Sequence, residues 1–346
     1  ISALLEISNF HKRETNPLET SARERRKLAA IIPFWLTRNI PWQAFASPIR
    51  KAAFGWKQLT ARQYQVYEGG GIVHLAPDYE KLLRVGAQGI IQEAEKNQQA
   101  NPNSIMEILR RIGDEAPELK SVRIVSPYMF LAEYKNKDGT LVKDEAVLFR
   151  EWLEQNPGRS LELITNSVLT SDNFPAQSII DMETAPRLLL PPEVREQWLE
   201  LEGDGEVTAE LVNSEAWAQL VNHPRLKVYE TGRLDSVLLG SGDKNYGKLH
   251  AKLLLAEDVG FIGTTNFDYR SRLYNNEMGF FFHDPELAAD VHASFDELVS
   301  SSYLWGSPQW LQLREAVMDK GGMKGRSTKR QRGWYKFFKN TGIIWL

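Results

Sequence analysis

The sequence predicts an α/β fold, in which strands and helices alternate through the middle of the chain. A helical region precedes that part and a basic, aromatic tail follows it. Three observations carry the prediction. Residues 121–130 and 161–167 are apolar runs of strand length that end in polar residues, and a helical segment at 144–154 lies between them, the pattern of a βαβ unit. Residues 249–262 read as a β-hairpin with polar side chains gathered at one end. Leu287, Val291, Phe295 and Leu298 then recur at helical spacing, a helix able to cover one face of a sheet.

Taken in order, residues 1–117 form the helical N-terminal region and show no catalytic motif. Residues 21–32 predict a helix with a basic face. The aromatics Phe34, Trp35, Trp42, Phe54 and Trp56 stand among Arg and Lys, as a membrane-facing surface or as packing between domains. Gly69, Gly70 and Gly71 break the chain, and 79–97 reads as an amphipathic helix. A further helix starts at Ser104 as N-cap with Glu107 completing a capping box, and its stripe is Ile105, Ile108, Leu109 and Ile112.

The first strong strand, 121–130, ends at Ser126, Pro127 and Tyr128, where ligands of open α/β sheets gather; Tyr128 lines a site there or serves as a core or lid aromatic. Residues 144–154 make a helix ended by Asn156, Pro157 and Gly158, and 161–167 a second buried strand. The stretch 174–203, interrupted by Pro186, Pro191 and Pro192, reads as a surface excursion or a rim, and its acidic continuation to 206 as a solvated face. A helix at 214–221, a strand at 225–231 and a loop at 241–247 lead to the hairpin. After it, Asp284 caps a helix with Pro285 in its first position, and His292 on that helix reads as structural.

In the hairpin, residues two apart share a face, so His250 and Lys252 point the same way. The turn falls at 257–260, with Gly260 able to take positive φ. Thr264 and Asn266 follow the return strand, and Glu277 opens a third. A His, a Lys, a hydroxyl, an Asn and a Glu at neighbouring strand ends suit a phosphate: charge from Lys252, neutral donors from Thr264 and Asn266, attack or proton transfer by His250. Glu277 can hold the far ring nitrogen of His250. The alternative is a satisfied histidine and a snorkelling lysine on a half-buried strand.

This order, His250-Ala-Lys252, then Gly263-Thr264-Thr265-Asn266, then Glu277, resembles the HKD motif of the phospholipase D superfamily. The continuation through Phe267–Ser271 and Asn275–Gly279 is similar to the bacterial cardiolipin synthase branch. The resemblance implies a mixed β-sheet flanked by helices, an α/β/α sandwich, over residues 118–300, with the tail at 301–346. It implies His250, Lys252 and Glu277 as catalytic, Thr264 and Asn266 as phosphate-binding, and Glu257 and Tyr128 as supporting. The family's Asp falls on Glu257, beside Asp258, and the interval to Gly263 is one residue short; Thr264 stands for the commoner Ser.

Composition bounds the rest. The 346 residues suffice for one large domain or two ordinary ones, and no run of 18 apolar residues spans a membrane. Without cysteine there is no disulfide, no thiolate catalysis and no Cys-ligated zinc. The six His show no paired spacing, so no metal or other cofactor is expected. Net charge of −3 argues against a surface built wholly for nucleic acid. The tail differs: Lys324, Arg326, Lys329, Arg330, Arg332, Lys336 and Lys339, all after the last acid Asp319 and interleaved with Trp334, Tyr335, Phe337 and Phe338, fit an anionic bilayer, a fold back onto the body, or least a nucleic acid. The expected protein is a bacterial peripheral membrane phosphodiesterase or phosphatidyltransferase acting on a phospholipid. The alternatives are a dimeric endonuclease of the same superfamily and a non-catalytic membrane-binding half. Phosphoryl transfer by this route needs two His, one to attack and one to protonate the leaving oxygen. One His-x-Lys is present, so the other comes from upstream, which the missing initiator Met favours, or from a second copy in a homodimer.

Overall fold

A computed structural model describes residues 105–341 except 117, 132, 136–137, 202–209, 235–247, 269–270 and 272–276. All of them lie in one compact unit, Lys51–Leu346. The elements expected before residue 105, the N-cap Ser104 and the loop at 241–247 fall outside the described residues.

Seven strands form one mixed sheet: β1 (Ser121–Val125), β4 (Ser160–Thr165), β5 (Leu226–Thr231), β6 (Leu253–Ala256), β7 (Val259–Gly263), β8 (Gly279–His283) and β9 (Ser302–Leu304), in the spatial order β8-β7-β6-β1-β4-β5-β9. The two short strands β2 (Glu133–Lys135) and β3 (Leu141–Asp144) pair apart from it. β1, β4 and β5 run parallel, as the βαβ reading requires. β6, β7 and β8 add antiparallel neighbours on one side and β9 on the other.

Helices cover both faces. Val125, Ile164, Leu253, Leu255 and Phe282 pack against Ala288, Val291 and Phe295 of one long helix. Ile124, Leu161, Leu163, Leu226 and Val228 face the other layer. That alternation along each strand is what buries a sheet on both sides. The helices in chain order are α1 (Ile105–Glu115), α2 (Glu145–Glu154), α3 (Phe174–Ile179), α4 (Ala185–Leu189), α5 (Pro192–Glu200), α6 (Glu215–Val221), α7 (Pro285–Ser300), α8 (Pro308–Lys320), α9 (Gly322–Lys329) and α10 (Gln331–Thr341). Caps fall where the side chains predict: Asp144 accepts from the N–H groups of Ala146 and Val147, and Asp284 from Leu287. The stripe of α1 packs on Phe261 and Phe281.

Two expectations change. Residues 174–190 are core rather than a surface excursion: Ile180, Met182, Ala185 and Leu190 are almost wholly buried. Of the prolines that read as breakers, Pro191 and Pro192 stand at the N-cap and first position of α5, where a missing N–H costs little, and Pro186 follows a π-helical turn near the start of α4. A π-helical turn, Ile180–Thr184, joins α3 to α4 and buries Asp181. The tail, secondly, is folded onto the body. β9 closes the sheet edge, and Tyr335 of α10 is 4% exposed. Trp198, Trp217, Trp305 and Trp310 from three helices and a turn stack at 5.3–6.2 Å between centroids. No described helix is long and apolar enough to cross a membrane.

Candidate active site

Strand direction brings the site together. β1, β4, β5 and β7 end at the edge of the sheet where β6 and β8 begin. Ser126–Tyr128, Asn166–Asn173, His250–Lys252, Thr264–Asn266 and Glu277 therefore share that edge, though they span more than 120 positions of sequence.

His250 and Lys252 lie in the lead-in to β6 rather than within the strand. Their geometry is set by Asn166, a side chain 2% exposed. Its amide donates to the Leu249 carbonyl and accepts from the Leu249 N–H, both at 3.2 Å, so a side chain replaces a strand partner. With Leu249 pinned and buried, His250 is left exposed, while Lys252 is 7% exposed. The Lys252 Nζ donates to the His250 carbonyl at 2.9 Å. Burial pulls its pKa down to about 8, against the opposing pull of Glu277 and Asp268. Burial and the neighbouring Lys252 also lower His250, with Asp172 acting the other way. The free site thus favours a neutral imidazole beside a lysine that is charged at neutral pH.

Thr264 ties the return strand to the third. Its hydroxyl donates to Glu277 and accepts from the Met278 N–H at 2.9 Å, and its own N–H donates to the Met278 carbonyl at 2.8 Å. Glu277 is buried at the edge of this arrangement, and its field reaches Lys252. The expected bond from Glu277 to the His250 ring is not formed; the carboxylate that acts on that ring is Asp172. The Oδ1 of Asn266 and the hydroxyl of Thr265 are buried without a partner among the described residues. Buried polar groups left in that state cost about 1–3 kcal/mol each, and a bound ligand can relieve the cost.

Other predicted residues divide. Tyr128 reaches Asp172 with its hydroxyl at 3.5 Å, at the rim. Glu257 lies at the turn, the opposite end of the hairpin from His250. Its carboxylate accepts from the Lys120 N–H at 3.1 Å, and its carbonyl meets His292 Nε2 at 2.9 Å. It supports the turn, not the pocket. The positive φ expected of Gly260 falls on Glu257, at 58°. Gly260 is instead a strand residue of β7, where an added Cβ would stand 2.0 Å from the Phe282 ring. Sequence reasoning missed Asn166, Asp172, Lys248 and Asp268. Lys248, two before His250, and Asp268, within the quoted stretch Phe267–Ser271, carried a signal; Asn166 and Asp172 are contributed by a distant loop and carried none.

Residues 159–299 match a family model described as cardiolipin synthase, PLD-like domain; that span runs from the start of β4 to the end of α7 and holds Asn166, Asp172, His250, Lys252, Thr264, Asn266 and Glu277. Residues 2–125 match one described as pyruvate formate lyase-like, of which the described part gives α1 and β1, elements of the sandwich above. No curated protein matches the chain. Among solved structures, the chain is similar to phosphatidylserine synthase of Haemophilus influenzae Rd KW20, at 14% identity and TM-score 0.39 over 71% of this chain and 44% of that one. It is similar to NucT from Helicobacter pylori at 15% and 0.33, over 59% and 94%. For Nuc from Salmonella typhimurium, a phospholipase D family member, the values are 12% and 0.27, over 55% and 84%. The chain thus spans less than half the length of that synthase. His250, Lys252, Asn266 and Glu277 all fall within residues 159–299, the part of the chain that matches the PLD-like domain family.

Proposed function

We propose that the protein is a phospholipid phosphodiesterase or phosphatidyltransferase of the cardiolipin synthase-like kind, working through a phosphohistidine. The observation that carries the reading is the convergence of His250, Lys252, Thr264, Asn266 and Glu277 at one sheet edge, with the imidazole exposed and the lysine held beneath it. A ring nitrogen of neutral His250 attacks phosphorus, and the P–N bond forms as the P–O bond to the leaving alcohol breaks. The leaving oxygen takes its proton from a second, protonated imidazole. Water or an alcohol then gives its proton to that imidazole and displaces His250. Lys252, Thr264 and Asn266 hold the phosphoryl oxygens, and Glu277 holds Thr264 in place. The second imidazole comes from another copy of the chain or from another segment of the same protein.

The membrane is the favoured place of action. Trp334 and Phe337 lie three apart on one stripe of α10 and are 41% and 51% exposed. Exposed Arg326, Lys329, Lys336 and Lys339 flank them, and no acid occurs from Gly321 to Thr341. Cations around aromatics suit an anionic headgroup layer. The same cations also suit a nucleic-acid backbone, which supports the endonuclease as second reading.

The test is incubation with phosphatidylglycerol vesicles and, in parallel, single-stranded DNA, with products resolved by mass. Phosphatidate marks hydrolysis and a two-phosphate lipid marks transfer; both should vanish in His250→Ala at unchanged thermal stability. Nucleotide products with intact lipid would replace this reading by the second. Vesicle binding without any product would reduce the chain to a non-catalytic half.

A further inference from the structure

A second cationic position stands beside the His250–Lys252 pocket, and it is assembled from parts far apart in the sequence. The loop after β4 is fixed by its own bonds: Ser171 N–H donates to the Ser167 carbonyl at 2.9 Å, Leu169 N–H to the Ser167 hydroxyl at 3.1 Å, and the Thr170 and Thr231 hydroxyls share a bond of 2.9 Å. On this loop Asp172 takes the Nζ of Lys248 at 2.9 Å, and the Tyr128 hydroxyl meets its other oxygen. From the C-terminal side, α9 lays Lys324 on the same loop, where the ammonium donates to the Leu169 carbonyl. Lys324 is lowered first by burial and next by the charge of Lys248, and Lys248 also acts on His250. Lys248 therefore lies within electrostatic reach of both Lys324 and the His250 imidazole, and Asp172 is the carboxylate set against the two lysines. Like charges gathered on a rigid loop cost energy that a further anion offsets.

We propose that Lys248 and Lys324 hold a second phosphate of the substrate or acceptor, one joined to the reacting phosphate by a short polyol. The proposal rests on the reading that His250 and Lys252 take the first phosphate. Ammonium groups bind phosphate as point charges. The preformed loop spares the ordering cost that two free lysines would bear.

Glycerol 3-phosphate and glycerol 1,3-bisphosphate serve as the probes, with dissociation constants measured calorimetrically on the full chain at neutral pH. The bisphosphate should bind about tenfold more tightly, the size of one charge-assisted contact. In the variant carrying both Lys248→Gln and Lys324→Gln the ratio of the two constants should approach one. Gln at 324 keeps a donor for the Leu169 carbonyl, and Lys248→Gln alone, at an exposed position, gives the same readout should the double variant fail to fold. A ratio unchanged by these substitutions, or no bisphosphate binding by the wild type, overturns the proposal. Bisphosphate binding that depends on Lys248 and Lys324 but not on Lys252 would keep the subsite and remove the His250–Lys252 reading.

Discussion

Lys252 keeps a positive charge at a depth where charge is costly. Its pKa falls to about 8 because burial outweighs the attraction of Glu277 and Asp268. The ammonium is the form that binds an anion, so affinity should hold below that value and fall as pH rises through it. Sulfate does not titrate in this range. Its dissociation constant should rise about tenfold per unit above the transition. A Lys252→Gln variant should bind weakly at every pH with no such limb, and a wild-type curve flat to pH 9 would detach Lys252 from the pocket. Glu230 shows the opposite sign. It is wholly buried beside Asp181, and burial first, then Asp181, raises its pKa well above the carboxylate range. The folded state therefore keeps a proton that the unfolded chain has lost. That stability is full below the ordinary carboxylate range and declines as pH rises toward the folded value. Gln177 and Trp310 donate to Glu230, while Arg314, Gln331 and Gln177 donate to Asp181. Glu230→Gln cannot ionise, so its Tm minus that of the wild type should grow more positive from pH 5 to 9; a constant difference would mean that Glu230 is ionised when folded. Neither Glu230 nor Asp181 could be picked out in the sequence, since a buried carboxylate is defined by what surrounds it.

At the scale of elements, the hairpin places the pocket and glycine makes the hairpin possible. Gly263 and Gly279 face each other in the register of β7 and β8, and the Phe261 ring lies over both. A Cβ at Gly279 would stand 2.2 Å from that ring, and the ring is already packed on Phe281 at 4.8 Å. Gly279→Ala should thus cost about 1–3 kcal/mol by overpacking, read from chemical unfolding. It should also lower turnover, since Thr264 and Glu277 adjoin this pair. A variant of wild-type stability would mean that the ring moves freely. The Trp cluster tests the docking of the tail helices. Trp198→Ala removes stacking on Trp217, Trp305 and Trp310 and should cost about 3–5 kcal/mol in the same measurement. A loss below 1 kcal/mol would show that the cluster repacks. The hairpin, α2, α6 and α7 were legible because each carries its own signal of spacing and caps. Residues 174–190 were misread because proline marks a break in a long helix and a start in a short one, and the sequence alone does not distinguish the two.

For the whole molecule, the cationic face of α9 and α10 is where the proposed meeting with an anionic surface can be tested. Replacing Arg326, Lys329 and Lys336 by Glu should weaken binding to vesicles containing anionic lipid, by about 1 kcal/mol for each charge removed. Cleavage of a soluble short-chain phosphodiester should change less than vesicle binding, because Arg326, Lys329 and Lys336 are exposed side chains, unlike Lys324, which lies on the pocket loop. Equal losses on both would make the face part of the active site. The sequence by itself determined the α/β class, the hairpin, and the order of His250, Lys252, Thr264, Asn266 and Glu277, because strand periodicity and a linear motif are local properties of a chain. Only the tertiary structure decided that Glu277 bonds Thr264, that Asn166 pins Leu249 beside His250, and that Lys324 of the tail reaches the pocket loop. The last two are contacts between segments about 80 to 155 positions apart, and their partners are chosen by how strands and helices pack, which no local pattern encodes.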